Sequence, residues 1–335
     1  MLEVTQKDKI DAVTGNFRPL CRFCGHASCD SLGGIAVSDM FAGRITDFPI
    51  SGGQLWHCSD CDSMFRYPVL SESEYLALYE SVNSDIWEDD ALRKDQMLIH
   101  SAISQVLESG KILDVGCYAG QFLAAFSPSY DKFGVEPSQA AAVRAGDKVS
   151  PVKVRSPKAS QTAAVRAGDK GIHVLGATIN DIAPEMKFDC IVSIDVVEHL
   201  LDPVDFFNKA FQLLNPNGFL IISTGNPSSF AWRHIFKSRF WYVTNAEHVS
   251  FPSQKFIKNL THKLGGEVVE VTNFCYADIG LKRSLIKLFG QCTYALSPKL
   301  YSAMRGLEGD GSRNPSIYSL GLFKDHHLIV IRKMH

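Results

Sequence analysis

The sequence predicts an α/β fold in which helices cover both faces of a mainly parallel sheet, preceded by a small cysteine-rich unit. Five short apolar runs alternate with amphipathic segments between residues 111 and 224. Strands of a parallel sheet are buried on both faces, so they read as near-continuous apolar runs joined by helices. Two C-x2-C pairs within the first 61 residues define the N-terminal unit.

Length, composition and charge indicate a soluble chain of two or three units. The chain has 335 residues, of which 45% are hydrophobic and 21% are charged, and its formal net charge is −2. This balance is ordinary for globular proteins and argues against extended nucleic-acid contact, which needs a basic face. Residues 1–11 lack a signal-peptide pattern, and no apolar run reaches the roughly 18 residues of a membrane span. We therefore expect a cytoplasmic protein without a membrane partner.

Cysteine spacing predicts a zinc ribbon at the N-terminus. Two pairs of cysteines each enclose two residues, so each pair can form a tight knuckle with both thiolates facing one point. The four are Cys21, Cys24, Cys58 and Cys61. Four thiolates complete a tetrahedral shell, and a site without an open position is structural rather than catalytic. The alternatives are four buried free cysteines, or a ligand set in which Cys29, His26 or His57 replaces one cysteine.

The apolar run Lys111–Val115 ends in a glycine-containing turn that is the centre of the predicted site. The acid Asp114 lies near the end of the run, and the turn continues through Gly116 and Gly120. A dinucleotide fingerprint, whose turn binds a pyrophosphate, has a second glycine where this chain has Tyr118. The carboxylate of Asp114 repels phosphate but suits an ammonium group. We therefore predict a site for S-adenosylmethionine (SAM) rather than NAD.

A second acid, Glu136, ends the next apolar run, 20 residues after Gly116. In nucleotide-binding α/β units, a carboxylate at this spacing meets the hydroxyls of the ribose. The alternative is a solvated acid at the end of a strand.

The segment after Glu136 contains a tandem duplication. Residues 138–148 recur as residues 160–170. Two copies do not make a repeat architecture, so we expect a lengthened connection that loops out, with a functional lid as the alternative.

Two helices are expected between the cysteine-rich unit and the sheet. Ser71 and Glu74 have the spacing of a capping box, and a second helix should span residues 91–108. We expect Tyr79 and Trp87 to pack between the two units; closure over a ligand is the alternative.

Five segments, two of which contain the acids and glycines described above, share a pattern with one known group of proteins. They are Leu113–Gly120, Gly134–Pro137, Phe188–Leu200, Leu213–Gly218 and Glu247–Phe251. With the cysteine pairs, they resemble class I SAM-dependent methyltransferases that carry an N-terminal zinc ribbon, and in particular the sugar C-methyltransferases. The resemblance implies a Rossmann-like sheet of parallel strands with a final antiparallel strand. It also implies a helical cap inserted before that last strand.

The resemblance and the change of pattern after Thr224 divide the chain into four regions. They are a zinc-ribbon domain (1–70), a helical linker (71–108), the SAM-binding core (109–225) and a C-terminal substrate and cap region that completes the sheet (226–335).

The resemblance assigns a cofactor-binding role to seven residues. They are Asp114, Gly116, Cys117, Gly120, Glu136, Asp181 and Asp195. The glycine turn would approach the amino-acid end of SAM, with Asp114 near its ammonium. Glu136 would bind the ribose hydroxyls and Asp181 the adenine amino group. Asp195 would line the methionine region, with helix capping as the alternative for this residue type.

Two histidines are candidates for a general base. His248 lies in a polar and aromatic loop just after the sheet, where the substrate should enter, and His199 follows Glu198 beside Asp195. Histidine is the usual base near neutral pH. The alternative for either histidine is a structural, hydrogen-bonded role.

These observations predict a methyltransferase that acts on a small-molecule acceptor, namely a sugar, a sugar nucleotide or a glycan precursor. One alternative is a nucleic-acid or protein methyltransferase that uses the ribbon for recognition, and another is a SAM-binding protein without catalysis. The expected cofactors are SAM and a structural zinc ion. The sequence gives no indication of the oligomeric state.

Overall fold

The computed structural model covers the predicted sheet, its helices and the cysteine-rich unit. It describes residues 8–10, 17–81, 92–138, 171–276, 280–304, 321 and 323–335. Trp87 and, apart from Ser138, the duplicated segments lie outside the described residues.

The strands of the described residues belong to the central sheet, to a smaller sheet or to two-stranded pairs. In chain order they are β1 (Asp8–Ile10), β2 (Phe17–Pro19), β3 (Cys29–Gly34), β4 (Ser38–Phe41), β5 (Arg44–Ile50), β6 (Gln54–Cys58), β7 (Met64–Tyr67), β8 (Gly110–Val115), β9 (Tyr130–Val135), β10 (Ile172–Gly176), β11 (Phe188–Ile194), β12 (Leu214–Gly225), β13 (Ser250–Phe251), β14 (Gly266–Phe274) and β15 (His326–Lys333).

Seven strands form the central sheet in the order β10-β9-β8-β11-β12-β15-β14. Neighbouring strands are parallel from β10 to β12, and β15 runs antiparallel to both of its neighbours. This arrangement confirms the predicted Rossmann-like sheet with a final antiparallel strand. Because Val115 pairs with Val135 and with Ser193, the carboxyl ends of β8, β9 and β11 meet at one edge of the sheet.

The α-helices of the described residues are α1 (Glu72–Ser81), α2 (Lys94–Val106), α3 (Gln121–Ala124), α4 (Pro203–Leu213), α5 (Gln254–Lys263), α6 (Leu281–Leu296) and α7 (Pro298–Met304). Helices α2, α4 and α5 pack against strands of the central sheet. The predicted capping box starts α1, since the Glu74 N–H donates to Ser71 Oγ and the Ser71 N–H donates to Glu74 Oε2. Helices α6 and α7 lie between β14 and β15, which confirms the predicted helical insertion. No helix in the described segments is both long and apolar enough to cross a membrane.

A smaller antiparallel sheet joins the cysteine-rich unit to the second half of the chain. Its order is β13-β7-β6-β3, and β13 pairs Ser250 with Phe65 and Phe251 with Met64. Side chains of the N-terminal unit also enter the hydrophobic core of the central sheet. One such contact is the edge-to-face pair of Phe23 and Phe256, with ring centroids 4.9 Å apart.

Candidate functional site

The turn after β8 is built from residues in the left-handed backbone region. Gly116, Tyr118 and Gly120 have φ angles of 80°, 49° and 76°. This region costs a residue with a Cβ about 1 kcal/mol, and the Tyr118 N–H offsets that cost by donating to Glu136 Oε2 at 2.9 Å. At Gly116, a Cβ would lie 2.6 Å from Val196 Cγ2. The turn therefore requires Gly116 for packing and accommodates Tyr118 through a hydrogen bond.

Asp114 is a buried acid near the carboxyl end of β8. The residue is 3% exposed. Burial and the neighbouring charge of Glu136 raise the pKa of its carboxyl to about 7, although the guanidinium of Arg93 acts in the opposite direction. A carboxyl in this state loses its proton readily when a cation comes near. The arrangement thus suits an ammonium group.

Glu136 follows β9 and faces the same turn. Its Oε2 accepts from the Tyr118 N–H at 2.9 Å and its Oε1 accepts from the Ser138 N–H at 2.8 Å. Each carboxylate oxygen has a second lone pair. The chemistry of Glu136 is therefore that of an acceptor for hydroxyl groups.

Asp195, which follows β11, has one satisfied and one orphaned oxygen. Its Oδ2 accepts from Arg93 at 3.0 Å, and Arg93 also pairs with the buried Asp95 at 2.8 Å. In the described part of the chain, no donor lies within hydrogen-bonding distance of the buried Oδ1. Burial raises the pKa of Asp195 to about 7, with Arg93 opposing the shift and Asp95 adding to it. A buried acceptor without a partner is a place for a donor from a ligand.

Two predicted cofactor residues have side chains that are engaged within the protein. Cys117 packs against the sheet, where a Cβ on Gly134 would lie 2.4 Å from its Sγ. Asp181 turns one oxygen back to accept from the N–H groups of Ala177 and Thr178, at 2.9 and 2.8 Å. Cofactor contacts from the Cys117 backbone or from the other Asp181 oxygen stay predictions.

The two candidate bases lie side by side. The ring centroids of His199 and His248 are 4.8 Å apart, and the ligand atoms of these two histidines and Glu198 all lie within 4.8 Å of one another. His248 Nδ1 lies 2.8 Å from the Tyr242 carbonyl oxygen. A carbonyl can only accept, so Nδ1 carries the hydrogen and the neutral ring keeps its lone pair at Nε2. Burial lowers the pKa of both histidines, so both rings are neutral near pH 7.

Neighbouring side chains hold the segments that carry the two histidines. Glu198 is fully buried and accepts hydrogen bonds from the hydroxyls of Tyr242 and Thr224, so its two oxygens hold the strand end and the loop together. Tyr79 packs against Phe41 of the N-terminal unit, with centroids 4.8 Å apart. Its hydroxyl lies 2.9 Å from His199 Nδ1, so Tyr79 packs between the two units as expected.

The four predicted metal ligands form one cluster. The sulfurs of Cys21 and Cys61 are 3.6 Å apart, as are those of Cys24 and Cys58. A zinc tetrahedron with 2.3 Å bonds has sulfur–sulfur edges of about 3.8 Å, whereas a disulfide brings its sulfurs to about 2.05 Å. The donor set and its spacing therefore fit a zinc ion.

Each cysteine pair closes in the same way. The Gly25 N–H donates to the Cys21 carbonyl at 2.8 Å, and the Asp62 N–H donates to the Cys58 carbonyl at 2.9 Å. Gly25 and Asp62 both have positive φ, at 74° and 64°. This matched geometry turns both pairs of thiols towards one point.

The three alternative ligands have other partners. Cys29 Sγ donates to the His26 carbonyl at 3.7 Å, and His57 Nε2 lies 2.9 Å from Asp62 Oδ1. His26 Nδ1 lies 3.2 Å from Ser28 Oγ. The four-thiol set is thus the cluster that the geometry favours.

A buried arginine connects the cysteine-rich unit to the loop of residues 243–249, which carries His248. Arg66, on β7, is 1% exposed. Its guanidinium donates to the carbonyls of Val243, Asn245 and Ala246, at 2.6, 2.8 and 3.2 Å. The backbone N–H of Arg66 donates to the Val249 carbonyl at 2.9 Å. These bonds hold the loop on both sides of His248.

Sequence reasoning missed Arg93 and Arg66. Arg93 lies outside every motif, and nothing in its neighbourhood distinguishes it from a solvated charge. Arg66 gave one signal, a cation inside the otherwise apolar strand β7. Its acceptors are backbone carbonyls far away in the sequence, which no side-chain pattern reveals.

Comparison with known proteins identifies the family. A family model described as "Methyltransferase domain" matches residues 92–271, more than half of the chain. The chain belongs to this family. The methyltransferase is similar to the ubiquinone biosynthesis O-methyltransferase of Bradyrhizobium diazoefficiens, with 28% identity over 139 residues, or 41% of this chain and 48% of that protein. A protein of the same name from Azorhizobium caulinodans is 31% identical over 122 residues, or 36% of this chain and 42% of that protein.

The chain thus spans less than half the length of these curated relatives. Among solved structures, it is similar to the magnesium protoporphyrin IX methyltransferase (ChlM) of Synechocystis PCC 6803 with bound SAH. That match has a TM-score of 0.46 and 10% identity, and it covers 78% of this chain and all of that one. The predicted family of class I SAM-dependent methyltransferases is confirmed. The narrower resemblance to sugar C-methyltransferases remains a prediction.

Proposed function

We propose that this chain transfers a methyl group from SAM to a small-molecule acceptor. The observation that carries the proposal is the set of acids at one edge of the sheet. Asp114 lies near the carboxyl end of β8, and Glu136 and Asp195 follow the neighbouring strands β9 and β11. The orphaned oxygen of Asp195 and the raised pKa of Asp114 both favour a cationic, hydrogen-bond-donating ligand. The amino-acid end of SAM has this chemistry.

The residues at this edge fit the cofactor group by group. Asp114 would receive the ammonium, and Glu136 would receive the ribose hydroxyls. Arg93 is a cation at the same edge and would face the carboxylate of the methionine. When bound, SAM supplies an electrophilic methyl group on its sulfonium; the protein aligns the acceptor with it, which is mainly a contribution of positioning.

His248 is the proposed general base. The lone pair at Nε2 and the neutral state imposed by burial are what a base needs before it accepts a proton from an acceptor hydroxyl. His199 is the second candidate. Its Nδ1 is engaged with the Tyr79 hydroxyl, and it lies close enough to orient His248 or the acceptor.

The four cysteines would hold a structural zinc ion. With all four ligands supplied by protein, no open position is left for a substrate. The ribbon would then act on the reaction indirectly, because Arg66 on β7 holds the loop that carries His248. Loss of zinc would then disturb β7 and, through Arg66, the position of His248.

A sugar, a sugar nucleotide or a glycan precursor is the proposed acceptor class. The support is the resemblance of the ribbon and the Glu247–Phe251 segment to sugar C-methyltransferases. The curated relatives are named O-methyltransferases, which agrees with a hydroxyl-bearing small molecule.

Calorimetry with SAM and labelling with radioactive SAM test the proposal together. We expect SAM to bind and label to appear in a small-molecule fraction of a metabolite extract. Label in protein or nucleic acid, with none in small molecules, would contradict the acceptor class. Absence of SAM binding to the zinc-loaded protein would contradict the function as a whole.

A further inference from the structure

Helix α6 leaves most of its large apolar side chains exposed. Its polar residues Ser284 and Gln291 are 1% and 0% exposed, whereas Leu285 and Phe289 are 52% and 63% exposed. Gln291 Nε2 donates to the Arg239 carbonyl at 2.7 Å, and Leu288 and Cys292 pack against a hydrophobic cluster, so the buried side is held by polar and apolar contacts together. A surface helix normally shows the opposite orientation, with its apolar stripe turned to the core.

The exposed apolar residues form a continuous stripe. Leu281, Leu285 and Phe289 are spaced four residues apart, so they lie on one face of α6. Helix α7 adds Leu300 and Met304 at the same spacing. The full set of exposed large apolar side chains on this helical pair is Leu281, Leu285, Ile286, Phe289, Leu296, Leu300 and Met304. A contiguous patch of this kind marks an interaction surface.

The charged side chains on the two helices themselves are all positive. Residues 280–304 contain Lys282, Arg283, Lys287 and Lys299 and no aspartate or glutamate, although the whole chain has a formal charge of −2. Lys282, Arg283 and Lys299 are exposed. An apolar stripe flanked by cations complements a partner surface with an anionic outer layer and an apolar layer below it.

The described residues on either side of the helical pair in the sequence, Tyr276 and Asp325, meet near the proposed site. The chain leaves β14 through Tyr276 and returns to β15 through Asp325, and the Tyr276 N–H donates to Asp325 Oδ1 at 2.9 Å. The guanidinium of Arg93 lies 5.9 Å from the centroid of the Tyr276 ring.

We propose that α6 and α7 dock the protein on the surface of an anionic lipid bilayer. The apolar stripe would enter the boundary between headgroups and acyl chains, and the lysines and arginine would pair with lipid phosphates. A second copy of the chain fits less well, because a two-fold interface sets the same patch against itself and would bring like charges together. The sequence predicted no membrane partner because it lacks a spanning segment; a docking surface of this kind needs none.

Flotation of the full-length, zinc-loaded chain with lipid vesicles tests the proposal. We expect binding to vesicles of phosphatidylcholine and phosphatidylglycerol, much weaker binding to phosphatidylcholine alone, and loss of binding at high salt. The double variant L285Q/F289Q and the double variant K282E/R283E should each lower the partition coefficient about tenfold or more. The matched controls are I45Q, at an exposed apolar position of β5, and K258E, at an exposed position of α5; both should bind as the wild type does.

Circular dichroism and SAM affinity of each variant separate lost docking from lost folding. Absence of binding to anionic vesicles by the folded wild type would overturn the proposal. So would vesicle binding that both double variants retain. Concentration-dependent dimers that L285Q/F289Q abolishes, without vesicle binding, would overturn it in favour of an interface between copies.

Discussion

At the scale of single residues, the acid Asp114 connects the pH of the solution to cofactor binding. Its pKa of about 7 in the free protein means that the carboxyl must give up its proton before it can pair with an ammonium. Below pH 7, this cost lowers the affinity for SAM by up to about tenfold per pH unit. We expect the dissociation constant of SAM to fall between pH 6 and pH 8, and Asp114→Asn to bind more weakly with a shallower pH dependence.

Calorimetric titration at several pH values measures this effect. Asp131→Asn is the matched control, because Asp131 is an exposed acid of β9 and should leave both affinity and slope unchanged. An Asp114→Asn variant with the slope of the wild type would remove the ammonium assignment.

His248 and His199 both have Nδ1 engaged, but the partners differ: a backbone carbonyl can only accept from His248, whereas the Tyr79 hydroxyl can donate to His199 or accept from it. The Nδ1 of His248 donates to a backbone carbonyl, which leaves Nε2 as a base. We expect His248→Gln to lower kcat about 100-fold or more, with SAM affinity changed less than about twofold. The measurement is steady-state kinetics with an identified acceptor, alongside SAM calorimetry.

His199→Gln is the comparison for this experiment. Because the Tyr79 hydroxyl can donate as well as accept, it does not fix a lone pair at Nε2 of His199, and we expect a loss of kcat of about tenfold. A larger loss for His199→Gln than for His248→Gln would reverse the two assignments.

At the scale of elements, strand β7 positions the loop of residues 243–249, which carries His248. Arg66 donates to three carbonyls of residues 243–246 and is itself buried, so Arg66→Met leaves those carbonyls without partners. We expect kcat to fall about 100-fold through misplacement of His248, with the dissociation constant of SAM nearly unchanged. Arg66→Lys should restore part of the activity, since one ammonium can reach one or two of the carbonyls.

Arg18→Met is the control, because Arg18 is an exposed arginine of the same unit in an ion pair with Asp30. It should keep the kinetics of the wild type. If Arg66→Met weakens SAM binding as much as it lowers kcat, the arginine supports the fold in general rather than the loop.

The cysteine knuckles should hold one zinc ion per chain. Mass spectrometry of the purified protein measures this content. Cys58→Ser/Cys61→Ser should abolish zinc binding and lower the melting temperature, because a structural metal contributes its binding free energy to folding. Cys292→Ser removes a cysteine outside the cluster and should keep the metal. Loss of zinc from this variant would show that the four-thiol set is incomplete.

At the scale of the whole molecule, the ribbon and the methyltransferase sheet are joined by strand β13. The sequence predicted both units, because C-x2-C pairs and alternating apolar runs are local patterns. It also predicted the acids at strand ends, since the end of an apolar run is visible in the chain. The pairing of β13 with β7 and the carbonyls bound by Arg66 were not predictable. They depend on backbone contacts between distant segments, which leave no residue-type signature.

The stability of the whole molecule should depend on pH through a buried histidine of β15. Burial and the neighbouring charge of His326 lower the pKa of His327 to about 3, whereas a histidine in the unfolded chain titrates near 6.5. Between these values only the unfolded state binds the proton, so this histidine destabilises the fold as the pH falls. From pH 7 to pH 5 the loss is about 2 kcal/mol. Asp114 and Asp195, with pKa values raised to about 7, act in the opposite direction over the same range.

A variant comparison isolates the contribution of His327 from these opposing groups. We expect His327→Leu to reduce the loss of unfolding free energy between pH 7 and pH 5 by about 2 kcal/mol, measured by urea denaturation at both pH values. His262→Gln, at an exposed position of α5, should leave the difference as it is in the wild type. An unchanged difference in His327→Leu would mean that the buried ring takes up its proton in the folded state, and that a partner for it exists within the sheet.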